Sequence, residues 1–113
     1  MIDADRAARA VQYLIDSAAE YGAAKAEAAR RDDMLRVIKA LVMAQSNQSS
    51  AAAQEREAYA SQRYQDAVAE KFEAVKASET LRASREAAIQ TIEFWRSANA
   101  NQRAAERGYG SAK

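Results

Sequence analysis

The sequence predicts an all-α protein: a long antiparallel two-helix hairpin, coiled-coil-like, completed by dimerisation into a helical bundle. Three observations carry this expectation. Ala, Glu, Lys, Leu and Arg make up 61 of the 113 residues, the composition of a long helix or coiled coil. There is no proline and there are only three glycines, so almost nothing punctuates a strand or a tight turn. Apolar residues recur at three- and four-residue spacing on both sides of a single polar break. Thirty residues are alanine, and Leu, Ile, Val and Phe together number only 16, so the core these helices build is thin. A formal net charge of +1 removes the self-repulsion that would keep such a chain disordered.

The first helix is expected over residues 3–45. Val11, Leu14, Ala18, Tyr21, Ala28, Leu35 and Val42 fall on one stripe, interrupted by Lys25, Asp32 and Lys39 at positions that should face a partner. Gly22 lies inside this helix, where glycine costs about 1 kcal/mol relative to alanine. With Ala18 and Ala26 it forms a small face at four-residue spacing, open to close approach by another backbone or simply tolerated. The hinge is 46–50, within the polar run Gln45-Ser46-Asn47-Gln48-Ser49-Ser50, whose side chains compete for backbone hydrogen bonds and interrupt a helix. Ser50 is the expected N-cap of the second helix, placed over 51–106, with Glu55 and Glu57 near its positive end.

One heptad phase runs from Ala53 through Ala60, Ala67, Ala74, Leu81 and Ala88 to Trp95. Tyr64, Val68, Phe72, Val75, Ile89 and Ile92 flank it and widen the core-facing stripe. Ser78-Glu79-Thr80 is the one candidate kink. The expected domain is therefore 1–107, followed by a frayed tail over 108–113. A lone hairpin with an alanine seam buries little area, and helix stability comes mostly from tertiary packing, so a homo-oligomer, most simply a dimer, is expected.

Missing residue types exclude several kinds of chemistry. Without histidine there is no Ser-His or Cys-His pair, no imidazole ligand and no di-iron Glu-x-x-His motif. Without cysteine there is no thiolate nucleophile, no cysteine-bound zinc and no disulfide. Asp3 and Asp5 occupy the place where a signal peptide carries positive charge. The longest wholly apolar run is Ala40 to Ala44, too short for a membrane span. The expectation is a soluble protein of a bacterial cytoplasm, with no membrane contact, no cofactor and no enzymatic activity.

The best magnesium-site candidate is Asp66, Glu70 and Glu73, spaced i, i+4, i+7. No second carboxylate cluster stands opposite it, and Arg63, Lys71 and Lys76 lie within a turn, so pairing on a solvated face accounts for the same residues. Asp32-Asp33 has the same character, with Arg36 four residues after Asp32. No phosphate loop, zinc pattern or RNA-binding signature is present.

The most unusual segment is Phe94 to Arg103, which holds the only tryptophan with two arginines, two asparagines and a glutamine. Asparagine is a mediocre helix former, so Asn99 and Asn101 read as recognition residues. From Arg82 onward there are six basic and three acidic residues, while the first 81 carry eleven basic and thirteen acidic. Trp95, Arg96, Asn99, Asn101 and Arg103 are the candidate partner-binding residues. An aromatic beside arginines and amides suits stacking and phosphate contact with single-stranded nucleic acid, and equally a protein interface. The bland alternative makes Trp95 a plug at the end of the bundle and Arg96 and Arg103 caps of the helix terminus.

Gln54-Glu55-Arg56-Glu57-Ala58, Leu81-Arg82-Ala83-Ser84-Arg85-Glu86-Ala87-Ala88, Ile92-Glu93-Phe94-Trp95-Arg96-Ser97 and Ala100-Asn101-Gln102-Arg103 together resemble a group of small helical proteins of tailed phages and prophages. The likeness covers about half the chain, from the hinge to Arg103, and is sharpest in the Trp-Arg-Ser to Asn-x-Arg ending. It implies helical hairpins linked to phage recombination and DNA-processing genes, and it transfers no catalytic residue. The expected function is a non-enzymatic binding protein that acts on a nucleic-acid-processing machine, as a recombination accessory or as an inhibitor of a host nuclease or CRISPR-type defence complex. A structural coiled-coil or scaffold that mainly self-associates is the alternative.

Overall fold

The computed structural model describes residues 2–111, and side chains through Gly108. Among the described residues the fold is all-helical with no strand: α1 (Ala4–Ala44), α2 (Ala51–Ala60) and α3 (Gln62–Ser111). Asp3 caps α1, its Oδ1 accepting the Arg6 amide at 2.8 Å. At the other end the Gln45 amide still reaches the carbonyls of Leu41 and Val42, and the chain then leaves the helix through the expected polar run. Ser50 adopts an extended backbone and its hydroxyl accepts the Ala53 amide at 3.1 Å, as an N-cap does. The hinge is closed by Ser46, whose hydroxyl donates to the Glu57 carboxylate, and by the Gln54 amide on the Gln48 carbonyl at 3.0 Å.

The second helix is not one element over 51–106. It breaks at Ser61, which takes φ −68° and ψ 145° and caps both sides of the break. Its hydroxyl donates to the Ala58 carbonyl at 2.7 Å and accepts the Tyr64 amide at 3.2 Å, while the Gln65 side chain satisfies the Tyr59 carbonyl at 3.1 Å. The break has a geometric purpose. Ala58 and Ala67 are both buried, yet nine residues is about two and a half turns, so an unbroken helix would turn them to opposite faces. One extended residue resets the phase by half a turn. Ala60, placed in the core phase by an unbroken heptad, is accordingly exposed.

No kink occurs at 78–80, which lie inside α3; Ser78 is buried, and Thr80 donates to the Lys76 carbonyl at 2.8 Å. Nor does α3 end near 106. A glycine stops a helix by taking positive φ, and no described glycine does so, hence the helix continues past Gly108 to Ser111. Ala112 and Lys113 of the expected tail lie outside the described residues.

The helices form two compact units: one joins the residues up to Ala19 with those from Leu81 on, the other spans Glu20–Thr80. In the second, Lys39 pairs with Glu55 (3.2 Å) and donates to the Tyr59 hydroxyl (2.9 Å), Lys71 pairs with Asp32 (3.0 Å) and Arg31 with Glu70 (2.6 Å). Residues 31 and 32 pair with 70 and 71, whereas residue 39 pairs with 55 and 59, so the pairing is antiparallel. The bond to Tyr59, then the one to Glu55, holds the Lys39 ammonium above its ordinary pKa. Hydrogen bonds from Arg30 and Arg31 hold the Glu27 carboxyl below the usual carboxylate range. Solvent screens pairs of this kind, so they set register more than stability.

In the first unit the seam is made by Ala7, Leu14, Ser17, Leu81, Arg85, Ala88 and Trp95, all buried or half-buried. Buried Ser17 donates to the Tyr13 carbonyl at 2.7 Å, and Arg85 reaches across to donate to both the Ser17 hydroxyl (2.7 Å) and the Leu14 carbonyl (2.8 Å). The inward row of α1 steps 14, 17, 21, 24, 28, 31, 35, 38, 42. The expected Leu14, Tyr21, Ala28, Leu35 and Val42 lie on it. Val11 and Ala18 do not, and Lys25 and Asp32 are exposed instead of interrupting it; Lys39 stays half-buried. The row advances by three before it advances by four, through polar Ser17 and Arg31, which sequence reading passes over. In α3, Ala67, Ala74, Leu81, Ala88 and Trp95 face inward as expected, whereas Phe72 (61% exposed) and Ile89 (44%) do not.

Gly22, Ala18 and Ala26 are all exposed, and a Cβ at Gly22 would meet nothing within 4 Å. The Gly22→Ala variant is expected to gain about 1 kcal/mol from helix propensity and lost unfolded-state freedom. Urea unfolding followed by circular dichroism checks this through a higher midpoint at unchanged slope.

Candidate functional site

The candidate site is built on the last third of α3. Its inward row continues past Ala88 through Thr91 and Ile92 to Trp95 and Asn99, which are the last half-buried side chains. From Ala100 to Gly108 every residue is exposed. Ile2 and Asp3, just before α1, share a groove with Phe94, Trp95, Ala98, Asn99 and Gln102. Exposed helix of this kind contributes little stability by itself.

A second shallow groove is lined by Glu93, Trp95, Arg96, Ser97, Asn99, Ala100 and Arg103. Four of the five sequence-predicted residues therefore meet: Trp95, Arg96, Asn99 and Arg103, spaced so that each is within a turn or two of the next. Asn101 is exposed but does not line this groove, since 101 lies nearly opposite 96 and 103 on the helix. Trp95 and Asn99 line both grooves, and so stand between the covered and uncovered sides of α3. Arg96 is held by Glu93 at 3.2 Å, exposed on both sides of the pair. Arg96 and Arg103 are eight or more residues from the end of α3 at Ser111, so neither caps the helix terminus; Trp95 does sit on the inward row as a plug would.

Sequence reading missed Ile2 and Phe94. Phe94 is 60% exposed, and with Ile2, Gln90, Thr91, Glu93 and Ser97 it lines a third depression on the same unit. The available signal was an aromatic residue one position off the core phase, which on a helix points away from the seam.

The carboxylate candidates do not assemble. Asp66 accepts from the Gln62 side chain at 2.7 Å, Glu70 pairs with Arg31, and Asp32 pairs across the seam with Lys71, not with Arg36. Among the described residues no group of three or more Asp or Glu side chains is placed to hold a metal ion. No described helix is long and apolar enough to cross a membrane. Set against known families, curated proteins and solved structures, the chain matches no family model, no curated protein and no solved structure.

Proposed function

We propose that this is a non-enzymatic helical binding protein that docks on a nucleic-acid-processing machine through the face that carries Trp95, Arg96, Asn99 and Arg103. The observation that carries the reading is the last part of α3, where a half-buried indole and two arginines border a groove and the side chains from Ala100 to Gly108 are all exposed. A helix anchored through half-buried Trp95 and Asn99 presents such a face at reduced entropic cost, and Trp and Arg are the side chains enriched where binding energy concentrates. The excess of basic residues from Arg82 onward favours an acidic protein or nucleoprotein partner. The likeness to small phage proteins supports a role as a recombination accessory or as an inhibitor of a host nuclease or CRISPR-type complex, in a bacterial cytoplasm. The absence of histidine and cysteine and the paired carboxylates support a non-enzymatic role.

Fluorescence of the single tryptophan during titration with short single-stranded DNA tests the direct form of this reading. Quenching that weakens steadily with salt is expected for phosphate and base contacts. The Arg96→Ala/Arg103→Ala variant is expected to keep its helicity and to weaken binding by about tenfold or more, the loss of two charge-assisted contacts. A flat titration at low salt removes direct nucleic-acid contact and leaves a protein partner, to be captured with wild type and lost with the double variant.

A second reading, a scaffold that mainly self-associates, is favoured by one observation. Among the described residues no large side chain is fully buried, while Val11, Ile15, Val37, Leu41, Phe72, Ile89 and Phe94 are all more than two-fifths exposed. Such a surface is unusual for a chain that works alone.

A further inference from the structure

Outside the C-terminal site, α1 carries a second stripe that the seam does not use. Ala4, Ala8, Val11, Ile15 and Ala18 are all exposed, with Val11 at 44% and Ile15 at 64%. Their spacing of 4, 3, 4, 3 is the same as that of a packed helical seam. Four of them follow a position of the inward row (7, 10, 14 and 17) by one residue, about 100° further around the helix. Ile89, 44% exposed, follows buried Ala88 in the same way. Because the two helices of this unit run antiparallel, residues one step beyond the seam lie on the same flank of the pair. The charged residues of this part of α1, Asp5, Arg6, Arg9 and Asp16, all lie off the stripe, which is free of charge from end to end.

We infer that this flank is the contact with a second copy of the chain, α1 against α1 about a two-fold axis between residues 8 and 11. The inference rests on the self-association reading and gives it a location. Size complementarity selects the occupant. In an antiparallel pair with this register, Ile15 of each copy faces Ala4 of the other and Val11 faces Ala8, so every layer joins one large side chain to one small one. A two-fold contact requires such self-complementarity, residue i meeting j as j meets i. The parallel arrangement sets Ile15 on Ile15 and Ala8 on Ala8, giving wide and narrow layers in alternation. Four residues from each copy, with Ile89 at the edge, make a small contact, and a weak dimer of roughly micromolar affinity is expected.

Sedimentation of wild type from about 1 to 100 μM, a range that brackets such an affinity, is the first test, and a monomer–dimer equilibrium is expected. Ala8→Val alone and Val11→Ala alone should each weaken the dimer by about tenfold, and the double swap should restore it to within about threefold, because the layer again pairs large with small. These positions are exposed in the single chain, so helicity should be unchanged in all three. Since the chain has no native cysteine, an Ala8→Cys chain mixed with a Val11→Cys chain should oxidise to the mixed disulfide, and Arg9→Cys mixed with Val11→Cys should not. A wild-type monomer at the top concentration overturns self-association altogether and makes a foreign helix the occupant of this flank. A dimer indifferent to the swaps and to the cysteine pairs overturns only the location.

Discussion

Replacing Ala58 with leucine is expected to lower the unfolding free energy by about 3 kcal/mol, at the upper end of what overpacking of a close seam costs. Ala58 is fully buried, at 0% exposure, on the short helix between the hinge and Ser61. Leucine and alanine differ little in helix propensity, so the loss measures the space available and not the local backbone. Ala60→Leu, two residues away and exposed, is expected to change stability by no more than about 0.5 kcal/mol. Urea unfolding of the two variants reads the phase of the helix directly. An unbroken heptad from Ala53 to Ala67 demands the opposite order, with Ala60 the sensitive position.

The Arg85→Ala variant is expected to lose about 2 kcal/mol, the scale of hydrogen bonds from a charged donor in a part-buried site. Its guanidinium ties α3 to α1 by donating to the Ser17 hydroxyl and to the Leu14 carbonyl. Removing it leaves a buried hydroxyl with one bond fewer and opens the seam beside Leu14. Arg85→Lys should recover only part of the loss, because both bonds come from Nη1, which lies one bond further from the backbone than a lysine ammonium. Removing the exposed Arg82–Glu86 pair one turn earlier, by Glu86→Ala, should cost less than about 0.5 kcal/mol. Comparable losses at the two positions, or a strong salt dependence of the Arg85 effect, would assign Arg85 to the surface.

Much of the fold was legible because it depends on local rules. The polar run at 45–50 broke the chain where expected, Ser50 capped the next helix, and the phase from Ala67 to Trp95 was read correctly since alanine at heptad spacing has few competing explanations. Ser61 was not legible. A lone serine between long helical runs, with no proline or glycine near it, carries no local instruction to bend; its bend follows from Ala58 and Ala67 both having to face α1. Ser17 and Arg31 were missed for a related reason, as polar side chains sit in this seam only because a partner across it accepts them or their stems. At the candidate site, the clustering of Trp95, Arg96, Asn99 and Arg103 followed from helix spacing alone. The contribution of Ile2 and the point at which α3 becomes uncovered depend on the register between α1 and α3, which no single helix encodes.

The lack of any fully buried large side chain among the described residues has a calorimetric consequence. The heat capacity of unfolding grows with the apolar surface brought into water and falls with the polar surface exposed alongside it. A seam of alanine, serine and half-covered valine releases little of the first and, with every helix amide, a full share of the second. The stability curve of such a fold is shallow, its maximum broad, and its melting spread over many degrees. Near that maximum, warming or cooling by several degrees changes its stability little.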